Sequence, residues 1–440
     1  MCNFKILASS MKELYYRALS YFIHIRSKIA FYPTVFALLG IFSAFIMMYF
    51  EGLGISQYLF EEFPAVMVEN GDTALTVLSA LITGLISMMV FSFSMVMLLL
   101  SQASNNYSPR LLPGLISDKV HQIILGIYLA TILYLIFILF SIHPSEDEYG
   151  IPGFSVLMGI VATVVCIYAF IYFIHNISQS IQISNILERI FTTARTELNC
   201  IIEQEIPEVK PFPSSDSWYE YYAENSGYLQ NMALTNILDI CERENTLIHI
   251  LPVKGMFVLK GIPLFKSRKE LDDKTVKNIL SNFNFGRGEL VGENYVLAFK
   301  QLTEIIVKAM SPGINDPGTA LNGIDYLTEL FSLRMEKKDS YAMCRNEKVL
   351  MKINTIDFDV LLYNVMGSIR TYCKHDIVLV QKLLLMFQYL KMQNIENKSH
   401  LKSIEQEAIT LILDARESIT TARDLKKIEE MTEKLNLYIH

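Results

Sequence analysis

"ALTVLSALITGLISMMVFSFSMVMLLL", residues 74–100, contains no Asp, Glu, Lys, Arg or Pro. The hydrocarbon core of a bilayer is about 30 Å thick and takes about 20 apolar residues of helix to cross. The stretch meets that length without a charge, so it reads as a membrane span. Three more segments meet the same test: 31–50, 120–142 and 153–177. Pro33 falls in the first helical turn, where a missing N–H costs nothing. The expected fold class is an α-helical multi-pass membrane protein of four spans. A cytoplasmic α+β region follows, with a small β-rich subdomain and then a helical one.

Composition agrees with this division. The chain of 440 residues is 52% hydrophobic and 19% charged, with mean hydropathy +0.31. The apolar excess lies before residue 180 and most of the charge after it. A net charge of −7 offers no clustered basic face, so nucleic acid is not an expected partner. Cys2, Cys166, Cys200, Cys241, Cys344 and Cys373 are scattered without CxxC spacing, which points to a reducing compartment rather than disulfides or zinc. No cleavage-site pattern follows Lys5 and Lys12, so no signal peptide is expected.

Charge fixes the expected orientation. Lys5, Lys12, Arg17, Arg26 and Lys28 precede the first span, and Arg110 and Lys119 lie between the second and third. The loops 51–73 and 143–152 carry no Lys or Arg. Positive loops stay on the cytoplasmic side, so both termini are expected there. "KELYYRALSYFIHIRSK" (12–28) alternates basic and aromatic positions and reads as a helix lying in the cytoplasmic interface. The outer loops hold Glu51, Glu61, Glu62, Glu69, Asp72, Glu146, Asp147 and Glu148. These acids either solvate loops that shed their basic residues, or form a vestibule that concentrates cations.

The second span carries its own pattern. At about 100° per residue, Thr76, Thr83, Ser87, Ser94 and Ser101 fall on one narrow face. Such a stripe either lets helices pack closely and bond across an interface, or lines a wet path in a homo-oligomer. Span four has a comparable small-residue face (Gly159, Ala162, Cys166, Ala169), read as packing. Spans without acids or bases argue against proton-coupled transport, which leaves a passive pore or a plain anchor.

The chain divides into an interfacial segment 1–30, the four-helix transmembrane region 31–180 and a helical extension of span four over 181–206. A β-rich subdomain at 207–293 and a mainly helical one at 294–440 follow. Helical periodicity runs through Ile183, Leu187, Ile190, Ala194, Leu198 and Ile201 and stops before Pro207, so span four and its extension are expected to form one rod. "YEYYA", "SGYLQ" and "TLIHILPVKGMFVLKGIPLF" read as strands and turns. Helices are expected at 233–244, 270–283, 294–310, 317–336, 357–373, 375–393, 398–414 and 418–436.

Between two of these helices lies "SPGINDPGTA" (311–320). Gly313 suits the left-handed residue past a helix end, Asp316 an N-cap and Pro317 the first helical position. Local physics makes this a corner; Asn315 and Asp316 could also hold a ligand or a neighbouring subunit. No phosphate-binding loop, zinc-protease motif or nucleophile elbow occurs, and the histidines share no local motif. An enzyme is not expected, nor a cofactor; a small ligand or ion remains possible.

"SPGINDPGTA", "SGYLQ" (226–230), "YSPRLL" (107–112) and "YFIHNISQSIQISN" (172–185), in that order, resemble the bacterial predicted membrane protein family known as domain of unknown function 2254. The resemblance implies a four-span inner-membrane protein with a cytoplasmic C-terminal part. It also implies that Pro109, Arg110, Gly227, Tyr228, Gly313, Asn315, Asp316 and Pro317 are family hallmarks. Gly318 departs from the pattern, where a bulkier residue is expected. The resemblance supplies no activity.

Overall fold

The computed structural model describes residues 30–56, 58, 68, 70–106, 119–142, 152–180, 182–204, 212–287, 294–345, 348–393 and 397–435. They fall into two compact units that meet in sequence between Gln182 and Ile183.

The first unit contains four helices: α1 (Phe31–Gly52), α2 (Gly71–Asn106), α3 (Lys119–Ser141) and α4 (Gly153–Ser180). Each is long and apolar enough to cross a membrane. α3 is the innermost, burying Ile124, Tyr128, Ile132, Leu135 and Ile138. A Cβ on Gly40 would strike the Ala130 backbone, so α1 and α3 approach backbone to backbone as small residues allow in lipid. Gly159 and Cys166 of α4 also turn inward, as packing requires. The outer surface is apolar: Leu38, Phe42, Phe45, Phe93, Tyr168 and Ile171 are exposed. Such a band would be a liability in water and suits hydrocarbon.

The expected rod is interrupted. α4 ends at Ser180 and α5 (Ile183–Gln204) begins three residues later. Near the break the Ser180 hydroxyl bonds back to the Asn176 carbonyl, a competing bond that bends helices.

The second unit begins with α5, which buries Ile186, Leu187, Ile190, Ala194 and Leu198. It continues through β1 (Tyr219–Tyr222), β2 (Gly227–Met232), α6 (Leu234–Arg243), β3 (Ile248–Ile250), β4 (Phe257–Val258), β5 (Pro263–Ser267), α7 (Asp273–Leu280) and β6 (Phe283–Gly286). α8 (Tyr295–Ala309), α9 (Pro317–Glu336), β7 (Ser340–Arg345) and β8 (Lys348–Asn354) follow. The chain then runs through α10 (Phe358–Cys373), α11 (Ile377–Met392), α12 (Lys398–Ser418) and α13 (Ala422–Lys434).

A five-stranded sheet has the order β1-β5-β3-β8-β7, with β3 and β8 parallel and the other pairs antiparallel. A three-stranded sheet has the order β4-β2-β6. The β7–β8 hairpin lies in the stretch read from sequence as mainly helical, yet it completes a sheet begun at residue 219. Leu229, Ile237, Ile248, Ile250, Phe265 and Met351 form the core beneath the sheets. Phe299, Phe331 and Phe358 join α8, α9 and α10, with ring centroids 4.7 and 6.0 Å apart.

A buried cation ties the hairpin to these helices. The Arg334 side chain, at the end of α9, has no exposed surface. It donates to the Lys337 carbonyl at 2.9 Å, the Ile356 carbonyl at 2.7 Å and the Asp339 carboxylate at 2.5 Å. Asp339 in turn accepts from the Phe358 N–H at the start of α10 and contacts the His400 ring. Burial alone would raise the Asp339 carboxyl, but hydrogen bonds from His400 and Arg334 hold it well below the usual carboxylate range.

Candidate functional site

α2 separates its polar residues by face. Ala74, Leu78, Leu85 and Ser92 recur at helical spacings of four and seven residues, and all are buried against the other spans. Thr76, Thr83, Ser87, Ser94 and Ser101 lie half a turn away, and all are exposed. The structure therefore keeps the stripe together and turns it away from the rest of its own unit. Gly84, beside the stripe, would meet nothing with an added Cβ.

The hydroxyls are locally satisfied. Thr76, Thr83, Ser87 and Ser94 donate to the carbonyls of Asp72, Ser79, Thr83 and Val90, at 2.7 to 2.9 Å. A hydroxyl that bonds back one turn can face lipid without an orphaned donor, and its oxygen can still accept another bond. Sequence reasoning missed Ser92, which belongs to the buried face. Its place on the opposite side of the helix could have been read from the same angular count.

Of the outer acids, two lie among the described residues. Glu51 does not stand free in an open vestibule. Its Oε1 accepts from the Ser155 N–H at 2.8 Å and the Ser155 hydroxyl at 2.9 Å, and its Oε2 accepts from Ser56 at 2.5 Å. Ser56 accepts from the Phe154 N–H, so Glu51 and Ser56 together cover the first turn of α4. A carboxylate there meets the positive end of the helix dipole. Asp72 is exposed in the first turn of α2. Glu61, Glu62, Glu69, Glu146, Asp147, Glu148, Pro109 and Arg110 lie outside the described residues.

The 311–320 corner is exposed from Pro312 to Gly318. Asp316 caps α9: one carboxylate oxygen accepts from the Thr319 N–H at 3.1 Å, the other from the Thr319 hydroxyl at 2.6 Å. Pro317 takes the first helical position. The Thr319 hydroxyl bond, with the Thr319 amide behind it, holds the Asp316 carboxyl below its ordinary value.

Gly313 departs from its expected role. The left-handed residue is Asn315, with φ 49°, while Gly313 has no positive φ. The helix ends earlier, at Ala309, and the chain is turned by bonds from the Ile314 and Asn315 N–H groups to the Ser311 carbonyl. That leaves the reversal to fall at Asn315, a residue that tolerates left-handed backbone. Asn315 thus has a conformational reason to be where it is.

Gly227 and Tyr228 lie in β2. Gly227 allows close strand pairing: an added Cβ would come within 3.0 Å of the Gly286 carbonyl in β6. The Tyr228 ring sits edge-on to Phe257 at 5.4 Å. Among the described residues no group of three or more His, Cys, Asp or Glu side chains could hold a metal ion.

Residues 26–389 match the family described as predicted membrane protein (DUF2254). Uncharacterized proteins of Mycobacterium bovis and Mycobacterium tuberculosis are 24% identical to the chain over 310 residues, covering 66% of it and 58% of their own length. The chain thus aligns with less than two thirds of these relatives. No solved structure matches it. The family match takes in all four apolar helices, the β2 strand and the 311–320 corner; the chain belongs to the predicted membrane protein family DUF2254.

Proposed function

We propose that the protein is a homo-oligomeric, passive, channel-like protein of a bacterial plasma membrane, with no enzymatic activity. In this reading α2 faces the axis and the cytoplasmic second unit gates the path. The observation that carries it is the exposure of Thr76, Thr83, Ser87, Ser94 and Ser101 on the face of α2 opposite its buried side. A plain anchor would be expected to bury such a stripe between its own spans. Small residues and Gly84 leave room for a neighbouring helix to approach, and oxygens with free lone pairs can replace part of an ion's water. Both termini are placed in the cytoplasm on the strength of the basic residues at 5–28, 110 and 119.

A second reading is a membrane-anchored sensor or scaffold without a pore. It is supported by the back-bonded hydroxyls, which need no water or ion to be satisfied. Chemical crosslinking of protein reconstituted in lipid separates the two at the level of assembly. The pore reading expects ladders of defined size, with crosslinks that include α2; a monomer sinks it. Topology has its own test. Cysteine at Glu61 or Glu148 should react with an impermeant thiol reagent on intact cells, and cysteine at Arg110 should not; the opposite pattern reverses the orientation.

A further inference from the structure

Within the second unit, two adjoining cavities lie where β2, the turn after β3, the start of α8 and the end of β8 converge. Their volumes are about 220 and 130 Å³, and they share Val253, Lys254, Asn294, Val296 and Ile356. β2 contributes Tyr228 and Gln230, both from the "SGYLQ" stretch.

The chemistry of the lining is one-sided. Lys254, Lys300 and Lys337 line the cavities against a single carboxylate, Glu197. The Lys337 ammonium is held by the Lys338 carbonyl at 2.5 Å and the Thr355 hydroxyl at 3.3 Å. α8 opens its N-terminus here. Asn294 uses its amide to fix both sides, accepting from the Val296 N–H at 3.1 Å and donating to the Lys254 carbonyl at 3.2 Å. The positive end of a helix of 15 residues therefore adds to the lysines.

A further observation is independent of charge. Tyr295, the first residue of α8, lines the larger cavity and is 6% exposed. Its hydroxyl faces the buried Arg334 guanidinium but is held by no hydrogen bond of good geometry. A buried phenol normally finds one, and leaving it without one is costly. The remaining walls are apolar, including Ile201, Met232, Val253, Val296 and Ile353. Binding sites for small molecules have this build, apolar walls with a few convergent polar groups.

We propose that this cleft binds a small organic anion, its apolar body against Met232, Val253 and Val296 and its charged head between Lys254, Tyr295 and the start of α8. Naming this anion as the ligand of the cytoplasmic gate rests on the channel reading; the binding itself rests on the cleft alone. The experiment therefore reads binding and not current.

The full chain in discs of zwitterionic lipid is titrated with hexanoate and hexyl phosphate, using hexanol and inorganic phosphate as partial mimics. Thermal unfolding and calorimetry are the readouts. One or both organic anions should raise the unfolding temperature saturably, and neither mimic should match them. Lys254→Gln should weaken the binding about tenfold. Lys382→Gln, which removes a cation paired with Asp325 elsewhere, should leave it unchanged. Tyr295→Phe should weaken binding with at most a small loss in the unfolding temperature of the unliganded protein, since its hydroxyl meets only the Arg334 guanidinium, which keeps its three other acceptors. The proposal is overturned if neither organic anion binds, if hexanol or inorganic phosphate binds as well, or if Lys254→Gln binds as wild type. A silent bilayer recording leaves it standing.

Discussion

The hydroxyl stripe of α2 and the network around Arg334 solve the same problem in opposite ways. Both satisfy polar side chains set among apolar ones. In the stripe each bonded hydroxyl is satisfied by a carbonyl one turn back on its own helix, so no other element depends on it. Around Arg334 the partners are remote in fold: the end of α9, the entry to β7 and the start of α10 all bond to one guanidinium or to its carboxylate. A locally satisfied group is free to meet something outside the protomer. A group satisfied across elements is committed to holding the protomer together.

Substitution should expose this contrast, and the largest effect belongs to the network. Arg334→Leu leaves Asp339 without its main partner and should cost the second unit about 3 kcal/mol, read by thermal or denaturant unfolding. A loss under about 0.5 kcal/mol would mean that the network does not hold the hairpin in place. pH provides a second route to the same point. The Asp339 carboxyl titrates lower folded than unfolded, so its stabilisation is present above the ordinary carboxylate value of about 3.9 and is lost as pH falls through and below it. Arg334→Leu should flatten that acid limb.

Next in size is the close helix contact in the first unit. Gly40→Val sets a side chain against the Ala130 backbone and should destabilise by about 1–3 kcal/mol. Gly84→Val, on the open face of α2, should leave the isolated protomer nearly unchanged and disturb assembly instead. Equal effects at the two glycines would erase the distinction between the inner and outer faces.

The 311–320 corner lies between the two cases. Asp316→Ala removes the cap and should cost about 0.5–2 kcal/mol, whereas Asp316→Asn and Asp316→Ser keep a cap bond and should be nearly silent in unfolding. The exposed Asn315–Asp316 pair is proposed to meet a ligand or a neighbouring subunit. Asp316→Asn and Asn315→Ala should then weaken assembly or function in a folded protein; wild-type behaviour in both would reduce the loop to a turn. The smallest effect on stability is expected on the stripe itself. Thr83→Ala loses a bond within its own helix and should change the unfolding free energy by no more than about 0.5 kcal/mol.

Much of the architecture was legible because its signals are local. Length without charge gave the spans, and 31–50 and 153–177 correspond closely to Phe31–Gly52 and Gly153–Ser180. Asp316 and Pro317 announced the start of α9, since cap and first-turn chemistry act over a few residues. What escaped depends on distance. "SYAMCR" and "KVLMKIN" carry weak alternation, and β8 becomes a strand through its parallel partner about a hundred residues earlier. The break between α4 and α5 lies in a polar stretch whose periodicity continues unbroken. The exchange of Gly313 for Asn315 reflects a helix that ends at Ala309 and a turn longer than the simplest cap. The angular position of the stripe was readable, but which side of α2 was buried depended on the other three helices.

The channel reading stands or falls on current through purified protein in a planar bilayer. Wild type should give discrete conductance, unaffected by an impermeant thiol reagent. Ser87→Cys should be blocked by that reagent, while Leu85→Cys, on the buried face, should not. No conductance for any ion at any voltage, or equal block at the two positions, would contradict it.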